Sequence, residues 1–458
     1  MPRAILFDQS DLAYRMGTGI ATYARNLAAA AQAGGFAAEA LLSTEAALDR
    51  RDPVLAEVSL FDYRPPPRLP WLEPLSSGVQ GVLRAPFGYR PRPLQAAGAV
   101  LRPPGSTPAF DRTYVARRLF NAARAHFYAY GRFARVRLPA APALFHATHP
   151  LPVQVAGCPN IVTIHDLVPL RLPFMTLDNK RYLFRLLKAL LARADHIVTV
   201  SEFSRRDIIA LFGVAEHRIT NTYQAVTLPA RGLAPTDAEM EEQVANLFGL
   251  DPGEYYLFVG ALEPKKNVGR LIDAYAAAGS RRPLVIAGGE GWQNKTDLDR
   301  INDTRFGFWR IADNTVSAYR QVRRIPYLPA EQLVLLLRGA RALLFPSLFE
   351  GFGLPVLEAM TVGTPVLTSD RSSLPEVAGE AALLVDPTDL GAIARAIRQL
   401  DSDPDLLADL ARRGRAQAAG FSMARYQERI HALYAAVLGA PVVGGAQKGQ
   451  DSRRAVSP

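Results

Sequence analysis

The chain has 458 residues, 49% of them hydrophobic and 21% charged, a balance that excludes a disordered or fibrous protein and a length that calls for two large domains. One cysteine, Cys158, excludes an internal disulfide framework and fits a reducing compartment. The net charge is +10, and residues 62–140, with 13 Arg, no Lys and three acids (Asp62, Glu73, Asp111), carry all of it.

In chain order, Met1-Pro2-Arg3 leads into the short apolar run Ala4 to Phe7, which meets Asp8 at once. No secretion-signal core fits there, and no stretch reaches the roughly 18–20 apolar residues of a membrane span, so the expected location is the cytoplasm. Strands are predicted at 4–8, 143–147, 160–164, 196–200 and 218–226, with a helix from near Gly19 through Gln32. The basic segment 62–140 interrupts this rhythm and reads as an insertion, helical from about 112 to 135. Its arginines alternate with Pro and with aromatics such as Trp71, Tyr89, Phe127 and Tyr130. A solvated cationic face, an anionic membrane surface and a phosphate-bearing acceptor all suit such a segment. Nucleic acid is not expected as a partner, because no binding motif accompanies the charge.

Residues 227–250 lose the alternation and read as a linker that ends in a charged, helical piece before Pro252. The rhythm restarts with strands at 255–259, 283–287, 342–346, 365–368 and 382–385. Helices are predicted at 268–278, 355–362, 389–400, 404–418 and 421–437, and the Gly- and Ser-containing end, 439–458, is expected to be a disordered tail. The fold class is therefore α/β: two Rossmann-like, doubly wound domains, 1–226 and 251–420, facing a central cleft. Ligands bind such sheets outside the carboxyl ends of the strands.

The chemistry concentrates in Phe345-Pro346-Ser347-Leu348-Phe349-Glu350-Gly351-Phe352-Gly353-Leu354-Pro355, followed by Glu358. A strand ends, a turn with two glycines follows, and Pro355 opens a helix where its missing N–H costs nothing. Free backbone N–H groups at Gly351, Phe352, Gly353 and Leu354, with the helix dipole, make an anion site. Glu350 in the turn and Glu358 on the first helical turn point their carboxylates at the same cleft, suited to sugar hydroxyls. Paired carboxylates also serve glycoside hydrolysis, but hydrolysis gives no reason for phosphate-binding features nearby. Those features continue in Val259-Gly260-Ala261-Leu262-Glu263-Pro264-Lys265-Lys266-Asn267, where a lysine can neutralise a departing diphosphate. Gly17-Thr18-Gly19-Ile20 follows the first strand, where close backbone approach to a phosphate is expected. His165, at the end of a strand, is placed to donate a hydrogen bond into the cleft. His146 and His149 lie three apart, but no nearby Cys or carboxylate completes a metal site, and there is no Asp-x-Asp motif. A metal-independent mechanism is expected, with no cofactor.

These blocks resemble the retaining GT-B glycosyltransferases of the family 4 type, which include bacterial polysaccharide mannosyl- and glucosyltransferases. The most specific element is Glu-x7-Glu, met by Glu350 and Glu358. His165-Asp166-Leu167, Ser201-Glu202-Phe203-Ser204 and Ser373-Leu374-Pro375-Glu376-Val377 resemble further blocks in the usual order. The resemblance implies that Glu358 holds the donor ribose, and that Glu350 with the Gly351–Leu354 amides holds the sugar and phosphate. Lys266, beside Lys265 and Gly260, would bind the diphosphate. Gly17 and Gly19 would let the first domain's loop approach it, and His165 would contact the donor sugar. It further implies retention by same-face attack, and a final helix, 421–438, that crosses back onto the first domain. Two departures stand out: Ala261 where many members carry Arg after the glycine, and a longer, more polar 291–324. The expected reaction is hexose transfer, from GDP-mannose ahead of UDP-glucose, to a polysaccharide or lipid-linked oligosaccharide, at the inner face of the plasma membrane. A sugar-nucleotide epimerase and a non-catalytic nucleotide-sugar- or glycan-binding partner are the alternatives.

Overall fold

The computed structural model describes residues 3–9, 19–46, 49, 51–61, 88–94, 100, 110–312 and 315–439. The expectations for Gly17, for most of 62–109 and for the tail beyond 439 lie outside the described residues.

Two open sheets organise the chain. Across the first, the order is Ile219–Asn221, His196–Thr199, Asn160–Ile164, Leu144–Ala147, Ala4–Gln9, Ala37–Thr44, Arg112–Arg117 and Arg92–Leu94, and only the last pairing is antiparallel. Across the second it is Val322–Ile325, Leu284–Ala287, Tyr256–Val259, Ala342–Phe345, Val366–Ser369 and Leu383–Val385, parallel throughout. Helices cover both faces, so central strands are apolar at every position rather than at alternate ones. Ala342–Phe345, Ala-Leu-Leu-Phe, is buried at all four residues.

In each sheet the chain first moves to one side of its starting strand and later returns to the other. The reversals fall between Ala4–Gln9 and Leu144–Ala147, and between Tyr256–Val259 and Ala342–Phe345. Such switch points leave a crevice at the carboxyl ends of the two strands, so the fold selects the loops that follow these four strands.

Several expectations change. Arg112–Arg117, predicted within a helix, is a strand paired in parallel with Ala37–Thr44. Its Tyr114, Val115 and Ala116 are buried while the flanking arginines stay exposed, so its charged ends hid a β-favouring core. The basic segment is therefore in part woven into the sheet, and its helix spans only Leu119–Tyr130. Ala37–Thr44 was not predicted at all, because its alanines carry little strand propensity and tertiary pairing decides. Residues 227–250, read as a linker, carry the expected charged helix before Pro252, Asp237–Phe248, opened by a Thr236/Glu239 capping box, and also the short helix Ala230–Leu233, which was not expected. Arg338 ties them to the second domain through the carbonyls of Gly232 and Pro235 and the Asp237 carboxylate. The polar stretch 291–324 holds helix Lys295–Ile301, an antiparallel hairpin of Gly307–Ala312 with Thr315–Arg320, and most of the edge strand Val322–Ile325.

The last helix, Met423–Leu438, reaches the first domain. Tyr434 Oη lies 2.9 Å from His146 Nδ1, and His431 Nε2 lies 2.7 Å from the carbonyl of Ala30 in helix Gly19–Ala33. No helix among the described residues is long and apolar enough to cross a membrane.

Candidate functional site

On the second domain, the chain leaves Tyr256–Val259 through Gly260, whose φ of 146° lies where side chains are strained. It then turns through Pro264–Lys266 to Asn267, which adopts φ 61°. Asn267 offsets that conformation by donating its side-chain amide to the carbonyls of Pro346 (3.1 Å) and Pro387 (2.7 Å). The lysine turn is thereby fixed to the end of the neighbouring strand, across the switch point.

That fixation aims Lys266 at Glu350: Nζ lies 2.7 Å from Oε1 and 4.7 Å from the Phe345 ring centroid. Lys265 Nζ lies 3.9 Å from both Glu350 Oε2 and Glu263 Oε2. Burial pushes the Glu350 carboxyl up, but Lys266 and Lys265 outweigh it and hold it below its ordinary value. Burial also works against the charge on Lys265, where Glu350, Asp166 and Glu263 prevail and raise it. The result is a buried two-lysine, two-carboxylate cluster.

The Glu350 turn is held from behind. Glu350 N–H donates to Ser372 Oγ (2.9 Å), and Ser373 Oγ donates to the carbonyls of Glu350 (2.9 Å) and Phe352 (2.8 Å). The N–H groups of Gly351, Phe352, Gly353 and Leu354 make no hydrogen bond among the described residues. Gly353, at φ 117°, caps helix Leu354–Val362, and Pro355 stands in its first turn. Four amides with no partner among the described residues, at a helix N-terminus beside two lysines, have the chemistry to receive an anion. Glu358 sits on the second turn of that helix, not the first, because the helix begins at Leu354. It is half-buried with no ion-pair or hydrogen-bond partner among the described residues, and burial pushes its carboxyl up to about 7.

The first domain meets this turn directly. A Cβ on Gly351 would stand 2.8 Å from the His165 carbonyl oxygen, and one on Gly19 would lie 3.6 Å from Leu354 Cδ1. His165 therefore presents its backbone to the Glu350 turn. Its imidazole, expected to donate into the cleft, has Nε2 2.9 Å from the Thr148 carbonyl and stands edge-on to Tyr23 at 4.9 Å. A carbonyl only accepts, so Nε2 carries the proton that this bond uses. Phe352, expected at the donor, is 4% exposed and packs on Phe421 (5.8 Å) and Tyr223 (6.3 Å). It anchors the turn against aromatic side chains.

His146 and His149 part company. His146 is fully buried between Tyr434 and Thr163, and burial drives it down to about 3, so it serves the fold as a neutral ring. His149 Nδ1 lies 3.0 Å from Asp8 Oδ2. The carboxylate that sequence inspection did not find beside these histidines thus comes from the first strand. Burial pushes Asp8 up, yet His149 and Thr148 hold it low. Sequence reasoning also missed Asn267, Ser372 and the role of Glu376. Asn267 and Glu376 had a signal only as members of motif blocks, and Ser372, one residue before its block, had none.

Two facing Rossmann-like sheets, each reversing at the cleft, define the GT-B class. Comparisons agree. A family model described as "Glycosyl transferases group 1" matches residues 241–417, and one described as "Glycosyltransferase Family 4" matches 92–228. The chain is 34% identical over 267 residues to the O-antigen chain mannosyltransferase B of Escherichia coli, an alignment covering 57% of this chain and 66% of that one. It spans only 33% of the serotype-specific mannosyltransferase WbdA of the same organism. Among solved structures, a sucrose-phosphate synthase of Thermosynechococcus elongatus aligns with TM-score 0.63 and 18% identity, over 95% of this chain and 99% of that one. Anabaena HepE in complex with UDP and glucose aligns with TM-score 0.61 and 15% identity, over 95% and 100%. The chain belongs to the GT-B glycosyltransferases of the family 4 type.

Proposed function

We propose that the protein is a retaining, metal-independent glycosyltransferase that moves a hexose from a nucleotide-sugar to a polysaccharide or lipid-linked oligosaccharide. The observation that carries this is the buried Lys266–Glu350 pair beside four amides that have no partner among the described residues, at the switch point. As the bond from the anomeric carbon to the diphosphate breaks, Lys266, Lys265 and the Gly351–Leu354 amides take up the negative charge that develops on the leaving oxygen. That oxygen receives the acceptor's proton while the acceptor oxygen bonds to the same face of the sugar, which preserves configuration. No divalent ion is assigned a role. Mannose is favoured over glucose because the relatives at 34% and 31% identity are mannosyltransferases by name, with GDP-mannose the first donor to test. The arginine-rich 62–140 suits an acceptor or membrane surface bearing phosphate.

The test is release of nucleoside diphosphate from a panel of GDP- and UDP-sugars in EDTA, followed over time. Slow release from one donor, abolished by Glu350→Ala, supports the reading. Silence across the panel, with no calorimetric binding, would leave the fold and move a non-catalytic role to the front.

Glu358 supplies a second test. Its carboxyl titrates near 7 in the folded chain against an ordinary 4.5, so the folded protein binds the extra proton between those values. The sign follows: the neutral form's contribution to stability is complete below about pH 4.5 and is lost as pH rises toward 7. If the donor ribose hydroxyls donate to this carboxylate, they favour its ionised form. Donor binding at pH 6 should therefore release close to one proton, and at pH 8.5 almost none. Calorimetry in buffers of different ionisation enthalpy measures this, and equal proton release at both pH values would remove Glu358 from the ribose site.

A further inference from the structure

Glu376 stands on the second domain, in helix Leu374–Ala378, which follows directly on the serines that hold the Glu350 turn. Its carboxylate crosses to the first domain. Oε2 accepts the N–H of Glu202 at 3.1 Å and Oε1 accepts that of Phe203 at 3.0 Å. These are the first two residues of helix Glu202–Phe212, and Ser201 Oγ takes the third N–H, that of Ser204. A helix end leaves such donors unsatisfied and carries partial positive charge. Here the capping carboxylate comes from the opposite domain, 174 residues away. The rings of Phe203 and Phe349, 5.3 Å apart, close the same junction from the side.

The junction is continuous with the reacting centre on both banks. On the first domain, Ser204 Oγ donates to the His165 carbonyl at 2.8 Å, and that carbonyl is the one Gly351 packs against. On the second, Ser373 adjoins the helix of Glu376 and holds both Glu350 and Phe352. Each bank is thus tied to the clamp by one short hydrogen-bonded step.

We propose that Glu376 is an interdomain positioning residue: by capping helix Glu202–Phe212 from across the cleft it holds the closed arrangement in which the His165 backbone abuts the Glu350 turn. The proposal rests on the glycosyltransferase reading for its kinetic consequence only. The closure itself is independent of what the site turns over. Arg205 and Arg206 lie on the capped helix, Glu202 at its start, and Lys265 and Lys266 on the lysine turn, but none replaces the two N–H bonds that Glu376 receives.

The experiment uses the full chain with Cys158→Ser and labels at Ala210→Cys and Glu380→Cys, both exposed, and reads the label separation by pulsed spin-label spectroscopy. The unaltered clamp should give one short distance. Glu376→Ala should add a longer, broader population. Glu202→Pro deletes one of the two donors while keeping the helix, since proline suits the first helical position and Ser201 is already extended. It should open the cleft by a smaller fraction, and Glu376→Ala should add to it only what the second bond supplied. For kinetics, Glu376→Ala should lower kcat about tenfold, roughly 1.4 kcal/mol, with donor KM changed by less than about threefold because the nucleotide-binding loops stay intact. Identical distance distributions in the unaltered and Glu376→Ala chains would overturn the proposal, as would closed distances in Glu202→Pro together with Glu376→Ala. If the unaltered chain turns over no donor, the glycosyltransferase reading fails while the distances still decide the clamp.

Discussion

Lys266→Ala is expected to lower kcat by about 10²–10³-fold, the range seen when one preorganised group facing developing negative charge is removed. Among the described residues Lys266 is the closest cation to Glu350, at 2.7 Å, and it is only 13% exposed, so little water screens it. The same change has a second, separable effect. Glu350 stays buried at 9% exposure with Lys265, at 3.9 Å, as its remaining cation among the described residues. Removing one partner of a buried pair costs about 3–5 kcal/mol, and the presence of Lys265 places this case at the lower end. Thermal unfolding and donor turnover, measured on the same preparation, separate the two. Lys266→Arg should rescue stability better than rate, because a planar guanidinium keeps the charge but not the compact ammonium geometry. A kcat within threefold of the unaltered enzyme would remove Lys266 from the leaving-group site, whatever happened to stability.

Gly351→Ala should reduce kcat about 100-fold with nucleotide binding preserved within a few-fold, the size expected when reacting parts are displaced by about 1 Å. An added Cβ would meet the His165 carbonyl oxygen at 2.8 Å and Asp166 Cβ at 3.0 Å. The nearer atom belongs to backbone and cannot rotate away. On the other side the turn is held by Ser372 and Ser373, so the strain falls on the space between the domains. Gly353→Ala makes the contrast. Its φ of 117° and a 2.8 Å approach to Leu374 Cδ2 place the strain inside the second domain, so it should lower Tm and nucleotide affinity together. A Gly351→Ala enzyme that keeps its kcat would show that the cleft works without close contact between His165 and the Glu350 turn.

Much of the second domain was legible because its signals are local. Apolar four-residue runs, Pro355 after a double-glycine turn, and Glu-x7-Glu each depend on neighbours within a dozen residues. The juxtaposition of Lys266 with Glu350 follows from a switch point that periodic strands and helices already imply. The first domain was less legible. Arg112–Arg117 is a strand because Ala37–Thr44 pairs with it, and nothing in its arginines announces that. Asp8 and His149 meet because strands remote in sequence lie side by side. Burial likewise separates His146 from His149, although their spacing made them look like a pair.

The amino-acid sequence by itself determined the doubly wound class, the two sheets in series and the turn chemistry around Lys266 and Glu350. These rest on period, turn residues and charge, which act over one or two elements. Only the tertiary structure decided that His165 offers its carbonyl rather than its ring to the Glu350 turn, that Phe352 packs among Tyr223 and Phe421, and that Glu376 caps a helix of the other domain. The physical reason is the same in each case. A hydrogen bond or a ring contact is short-ranged, and which partners come within 3–6 Å depends on how two sheets are brought face to face.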